Sequence, residues 1–482
     1  MAVSNTKSEN GEHHNDSSVV NVSRSNSQSQ GEFKEGGYGW VVIFGVFVLN
    51  AHTWGLNSSF AVFLAYYLKT NAFGTTQLGY AFVGGLSISI ALLVSPIATT
   101  LAGWKRCGTR RTIFIGVILE TIGFIGSSFA TKLWHLILSQ GVSFGFGMGL
   151  CFVASASVPP QWFVKRRSFA NSIAASGSGF GGMCYSLATN AMITNIGLPW
   201  TFRVLAIICI VVNTVASYLI RDRNKDIGSI HMAFNWRLFR KPQFVLFQAW
   251  MVLSMIAYVI LVFSIVDYCQ TVGLTASEAS LVGALFNMAQ GIGRPIIGLS
   301  SDSVGRLNIA NLCTLFCGLL CLFFWIFGTK TMAGCIVFAL LCGPVAGVIW
   351  ATCAPITAEV VGLNLIPSAL SLTWLMLVLP STFAEVIAVS LRRPGPDGYI
   401  RVQLFTAFLY IGAFIFGWAL RAWKVWELEQ ARLDKEQREL ATRDEGILSA
   451  ALEQQSHAGG PRVQSARWSL SDFKGFWVIE RV

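Results

Sequence analysis

The chain has 482 residues, of which 53% are hydrophobic and only 12% charged, and its mean hydropathy is +0.57. Soluble domains carry about 25% charged residues, so this composition excludes a soluble globular protein and describes a chain that crosses a membrane many times. The formal net charge is +11, but the basic residues gather in short loops between apolar stretches, as membrane topology requires. That placement excludes a nucleic-acid surface, and no nucleic-acid partner is expected.

Residues 1–36 are rich in Ser, Asn, Glu and His. They cannot bury enough apolar surface to fold and are predicted to form a disordered tail. Twelve apolar stretches follow, each near the roughly 20 residues that a bilayer span needs. They run over 40–66, 77–102, 111–131, 134–158, 168–195, 201–220, 244–268, 278–300, 308–328, 332–354, 365–391 and 401–423. The fold class is therefore an all-α membrane protein with twelve transmembrane helices.

The loops set the orientation. Those after even-numbered spans hold Lys105, Arg106, Arg110, Arg111, Lys165, Arg166, Arg167, Arg221, Arg223, Lys225, Arg237, Arg240, Lys241 and Arg306. Those after odd-numbered spans hold only Lys69, Lys132, Lys330, Arg392, Arg393 and Arg401. The positive-inside rule then predicts both termini in the cytoplasm. The long polar connection at 221–243 splits the chain into a six-helix half at 37–220 and another at 244–424. Each half carries a related loop after its second span: Lys105-Arg106-Cys-Gly108-Thr-Arg110-Arg111, and Gly298-Leu-Ser-Ser-Asp302-Ser-Val-Gly305-Arg306. Paired halves with matching loops point to the internal repeat of secondary transporters. The tail at 425–482 begins dense in charge and strong helix formers, so the last span is predicted to continue as a cytoplasmic helix before disorder. Leu428, Leu433, Leu440, Ile447 and Leu448 give it a weak apolar stripe, expected to pack under the bundle, with a partner coiled coil as the alternative.

The eleven cysteines lie mostly in apolar segments. Cys313, Cys317 and Cys321 repeat every four residues on one helical face, which reads as small apolar packing. No disulfide framework or zinc spacing is visible, and neither metal nor cofactor is expected.

The stretch with the most chemistry is 281–300. Arg294 keeps its charge at any cellular pH, and a guanidinium in hydrocarbon is costly. Asn287, Gln290 and Arg294 are spaced to share one helical face, beside Gly291, Pro295 and Gly298. That face is predicted to line an aqueous cavity where Arg294 meets an anion; snorkelling or a structural ion pair are the alternatives.

Three motifs resemble the major facilitator superfamily and, within it, the monocarboxylate transporter family. The entry to the first span reads Glu35-Gly-Gly-Tyr-Gly39-Trp40. The junction before the fifth reads Trp162-Phe163-Val-Lys165-Arg166-Arg167-Ser-Phe-Ala170, followed by a helix of small residues. The eighth span reads Arg294-Pro295-x-x-Gly298. The wording of Thr53-Trp54-Gly55-Leu56-Asn57-Ser58-Ser59 is closest to fungal members. The resemblance implies the major facilitator fold of two six-helix halves. It also implies substrates ranging from carboxylates to riboflavin and exported secondary metabolites. Animal lactate carriers have a lysine where Ser58 stands and an aspartate where Gln290 stands, so their proton-coupling route is in doubt here. Lys105 also replaces the superfamily's usual loop aspartate.

These readings nominate Arg294 as the main substrate contact, with Asn57, Ser58, Asn287, Gln290 and Trp374 around it. Asn57 and Ser58 share a face with Asn50, Trp54 and Ala61 and line the path or bond neighbouring helices. Glu385 and His52 are candidate proton carriers, ahead of Glu120, Asp267 and Glu359. Lys165, Arg166, Arg167, Asp302 and Arg306 are expected to latch the two halves. The expected function is secondary transport of a small organic, carboxylate-bearing solute across the plasma or vacuolar membrane, by alternating access and with proton coupling. Export of a fungal secondary metabolite and nutrient sensing without transport are the alternatives. No nucleotide-binding loop and no nucleophile–base constellation suggest an enzyme. The partners are the solute and the lipid bilayer, with any ancillary subunit unknown.

Overall fold

A computed structural model describes residues 36–452 apart from 72, 75–76 and 394–397. The tails expected to be disordered, 1–35 and 456–482, lie outside the described residues. Every regular element is helical. In hydrocarbon each backbone N–H and C=O must be satisfied within the chain, and a helix does so within one segment.

Helices fall on all twelve expected spans, several of them interrupted. The first is Tyr38–His52, Trp54–Ser58 and Phe60–Thr70; the second is Gln77–Leu93 and Ser95–Gly103; the third is Gly108–Ser128. The fourth is Leu133–Leu136 and Phe144–Ala156, joined through a wider π turn at Ile137–Ser143. The fifth and sixth are Arg167–Ile196 and Leu198–Leu219. The seventh and eighth are Pro242–Thr271 and Ala276–Val304, and the ninth is Arg306–Leu319 with a π turn at Leu320–Trp325. The tenth is Met332–Ala346 and Val348–Val361, the eleventh Ile366–Met376 and Val378–Leu391, and the twelfth begins at Ile400. The breaks at Thr53 and Ser59 interrupt the continuous polar face expected along the first span.

Among the described residues, ten helical stretches are long and apolar enough to cross a bilayer. The fifth and eighth spans, 30 and 29 residues long, are the two that fall short. Their glycine, serine and other small or polar residues gather on the faces that meet each other, while Leu281, Ile292, Ile296 and Leu299 of the eighth span are exposed. They make the largest interhelical contact in the molecule, along the seam between the halves. Glycine is required there: a Cβ on Gly179 would lie 2.7 Å from Gly291 Cα, and one on Gly298 would lie 2.6 Å from Ser172 Cβ. Small residues let transmembrane backbones approach in this way.

Both loops turn at a glycine. Gly108 and Gly305 both take positive φ, 70° and 118°, which L-residues with a Cβ rarely adopt. The other two motifs pack against each other at the same end of the molecule. The Trp40 ring meets Phe163 edge-on at 4.8 Å, and Tyr38 Oη donates to Leu219 O at 3.0 Å. The central connection is also pinned: Ile230 N donates to Asn364 O and Met232 N to Ser368 Oγ, both at 2.8 Å.

The last helix is a single element, Ile400–Leu452, of 53 residues. At 1.5 Å per residue it is about 80 Å long, far more than a hydrocarbon core of about 30 Å, so it projects past the bundle. The expected packing of its apolar stripe is corrected by the structure: Leu428, Leu433 and Leu440 are all exposed, while the side chains of Ile447 and Leu448 lie outside the described residues. Charge alternation supports the projecting part through pairs such as Arg432–Glu436, which add a few tenths of a kcal/mol each.

Candidate functional site

Arg294 lies mid-way along the eighth span and is only 4% exposed. Its side chain crosses the seam. Nη1 donates to Ala175 O at 2.7 Å and to Ser178 Oγ at 2.6 Å, both on the fifth span of the other half. Nη2 donates to Gln290 Oε1 at 3.0 Å, and Nε has no hydrogen-bond partner among the described residues. These three partners are neutral, and no salt bridge to Arg294 occurs among the described residues. A buried cation held only by neutral acceptors keeps most of its desolvation cost and attracts any anion that reaches it.

The predicted face of the eighth span assembles. Gln290 Oε1 accepts from both Arg294 and Tyr258 Oη, the latter at 3.0 Å, and Gln290 Nε2 donates to Asn287 Oδ1 at 3.4 Å. Gly347 of the tenth span closes over this group, since a Cβ there would lie 2.9 Å from Gln290 Oε1 and 3.2 Å from Arg294 Nη2. Tyr258 was not singled out from the sequence; no charge or periodicity marks it, and only the bundle brings it to Gln290.

Trp374 joins a group of aromatic rings at the seam. It stacks on Trp350, centroids 5.7 Å apart and planes 14° apart, and meets Phe152 at 5.0 Å. Trp54 meets Phe152 at 5.2 Å and Trp350 at 5.5 Å. Phe152 and Trp350 also escaped the sequence reading, because an isolated aromatic in an apolar span carries no signal of its own.

The remaining nominees divide. Asn57 Oδ1 accepts from Ser87 Oγ at 2.9 Å, while the exposed Ser58 donates back to Trp54 O at 3.1 Å and faces Gly182. His52 Nδ1 lies 2.8 Å from Val48 O of its own helix, and its ring packs edge-on against Tyr185. Glu385 lies on the helix Val378–Leu391, and its side chain is outside the described residues. Asp267 pairs with Arg392, and Glu359 with Arg306. Glu120 is fully buried, with Cys209 Sγ and Asn213 Nδ2 donating to Oε2 at 3.2 Å each.

At the central-loop end, Asp302 of one half meets the N-terminus of the fifth span in the other. Its Oδ1 accepts from Ser168 N at 3.0 Å and its Oδ2 from Phe169 N at 2.8 Å. Arg306 bonds Ser168 Oγ at 3.1 Å and Val164 O at 3.0 Å, while also pairing with Asp302 and Glu359. Lys165 and Arg166 are exposed; Arg167 is buried, its Nε donating to Phe163 O at 3.0 Å.

Among the described residues, one donor set could suit a soft metal: the sulfur atoms of Cys317, Cys321 and Cys342 lie within 4.8 Å of one another. The four-residue spacing gave the first two, and the fold supplies the third from the tenth span.

The profile of the Major Facilitator Superfamily matches residues 37–385. The "Probable transporter MCH2" of Saccharomyces cerevisiae is 32% identical over 398 residues, covering 81% of this chain and 84% of that protein. The "Fujikurins efflux protein" of Gibberella fujikuroi is 23% identical over 382 residues, covering 78% and 82%. The outward-conformation crystal structure of the transporter FucP superposes with a TM-score of 0.61 at 14% identity, covering 79% of this chain and 99% of that one, which establishes the shared fold. The chain belongs to the major facilitator superfamily and is a membrane transporter, not an enzyme.

Proposed function

We propose that the protein is a secondary carrier for a small organic acid, with Arg294 as the carboxylate contact and Gln290, Asn287 and Asn57 completing a polar surround. One observation carries this reading: a guanidinium buried mid-bundle whose hydrogen-bond partners are all neutral. An entering carboxylate would supply the missing counter-charge and can pair with two donors of the fork at once. The resemblance of the three motifs to the monocarboxylate transporter family supports the same chemistry.

Arg294 also offers a means of coupling. It belongs to one half and bonds Ala175 and Ser178 of the other. A carboxylate that competes for its donors changes the contacts across the seam, and only such a difference in affinity between states can shift a conformational equilibrium. Asp302 and Arg306 would hold the halves together at the central-loop end, which positive-inside charge assigns to the cytoplasm. Glu385 remains our candidate proton carrier. His52 is a weaker one, because its ring is committed to its own helix.

The test is uptake in proteoliposomes over a panel of labelled acids, with and without an inward proton gradient, for wild type and Arg294→Gln. Saturable uptake that the mutant loses is expected. Saturable flux indifferent to Arg294 would overturn the assignment. Export of a metabolite is the second reading, favoured by the relative named as an efflux protein; inside-out vesicles loaded from the opposite face distinguish the two directions.

A further inference from the structure

We infer that the acid carried is planar and aromatic, its ring seated on the seam tryptophans while its carboxylate meets Arg294. This rests on the reading of Arg294 given above and narrows its substrate class.

The ring group has an unusual construction. Trp54 comes from the first span, Phe152 from the fourth, Tyr258 from the seventh and Trp350 from the tenth, with Trp374 added from the eleventh. Each of the first four stands at the same place in the order of its three-helix unit; Trp54 and Tyr258 lie near the middle of their spans, and Phe152 lies near the end of its own. Both halves therefore contribute π-faces to the seam, which must part and re-form during transport. Aromatic pairs that only fill a core stay within one half, as Phe63 and Phe202 do at 4.8 Å.

The rings are tied to Arg294. Tyr258 donates to Gln290 Oε1, which also accepts from Arg294, and the Tyr258 ring lies 6.1 Å from Trp350. Gly347 lies against Arg294 at the N-cap of the helix Val348–Val361, and Trp350 follows three residues later in its first turn, its N–H donating to Gly347 O at 3.1 Å. An anion bound at Arg294 thus has a tryptophan face about one helical turn away, the dimension of a benzoate-like acid rather than of a two-carbon one.

Donors without acceptors point the same way. Trp374 is 3% exposed, and its indole N–H has no partner among the described residues; the same holds for Trp54 Nε1 and Arg294 Nε. Buried donors are normally satisfied. Three such donors, on Arg294 and on two tryptophans of the ring group, suit a ligand with acceptor oxygens on a flat ring, which stacks on the aromatic faces and offers oxygens to N–H groups.

Benzoate and cyclohexanecarboxylate separate this from simple hydrophobic acid binding, because they share size and charge and differ in planarity and π-surface. Affinities are measured by calorimetry on the full chain in detergent micelles. Wild type is expected to bind benzoate about tenfold more tightly. Trp350→Leu should bring the ratio near one, Trp350→Phe should preserve it, and Arg294→Gln should abolish binding of both. Equal wild-type affinity for the two acids, with both lost in Arg294→Gln, would overturn the aromatic inference and leave the anion site standing. Binding of either acid that survives Arg294→Gln would defeat the underlying reading and this inference with it. If Trp350→Leu does not fold, the wild-type ratio alone decides.

Discussion

Asp302 Oδ2 accepts the backbone N–H of Phe169 at 2.8 Å, so a side chain of the second half caps a helix of the first. The opening N–H groups of a helix lack intrahelical partners and carry a partial positive charge. The fifth span has no side-chain cap of its own. Two of its opening N–H groups are therefore bonded by a carboxylate while the halves meet at this end and pass to water when they part, so the bond favours the closed arrangement.

Asp302→Ala should favour separation of the halves at the central-loop end. Removing a charged acceptor from two N–H groups, and from Arg306, costs on the order of 1–3 kcal/mol, a shift of about 5-fold to 150-fold in the closed-to-open ratio. Spin-label distances between exposed positions on the two halves at this end would report it. Asp302→Asn keeps one acceptor oxygen and should give a smaller shift. Equal distances in all three proteins would show that Asp302 does not hold the closed state.

The seam itself depends on Gly179. Its missing Cβ leaves room for Gly291, whose Cα would lie 2.7 Å from any Cβ placed there. The obstacle is backbone, which cannot rotate away. Gly179→Val should force the fifth and eighth spans apart at a cost of about 1–3 kcal/mol, lowering both thermal stability and flux. Gly85, with open space beside it, is the control position: Gly85→Ala should leave both unchanged.

Much of the helical arrangement was legible in the residues. Span number follows from hydropathy, and helices do lie on each expected span. The face of Asn287, Gln290 and Arg294 was legible because helical spacing is local. The partners Ala175 and Ser178 were not, since they come from another span and periodicity says nothing about which helix lies opposite. The same limit hid Tyr258 and the ring group. The tail failed for a different reason: Leu428, Leu433 and Leu440 match a helical stripe, but a continuous helix carries them beyond anything to pack on.

The central connection should respond to pH through His231. Its ring is half-buried, and a Cβ on Gly103 would lie 2.3 Å from its own Cβ, so it is seated closely over the second span. Burial holds its pKa below the ordinary histidine value, against the opposing pull of the Ser229 carbonyl and the Asp222 charge. A histidine whose folded value lies below its unfolded one, about 6.5, takes up protons on release. The packing is therefore fully stable above that pH and weakens as pH falls toward the folded value. Amide exchange at Ile230 and Met232, corrected for intrinsic rate, should accelerate between pH 7 and pH 5 in wild type. In His231→Asn the corrected rates should not change.

Arg294 should trade stability for function. Its guanidinium is buried without an anionic partner among the described residues, so the folded protein carries a desolvation cost that three hydrogen bonds to neutral groups offset only in part. Arg294→Gln removes the charge and retains a donor for Ser178. Its thermal midpoint should be no lower than that of wild type, even though acid uptake is lost. Arg294→Lys keeps the charge as a point and loses the fork, so uptake should persist with weaker apparent affinity. Transported acid at about 100 times its Kd should stabilise the wild-type protein by ~2.7 kcal/mol and should not stabilise Arg294→Gln. A mutant that melts well below wild type without ligand would show instead that Arg294 is chiefly a structural tie between the halves.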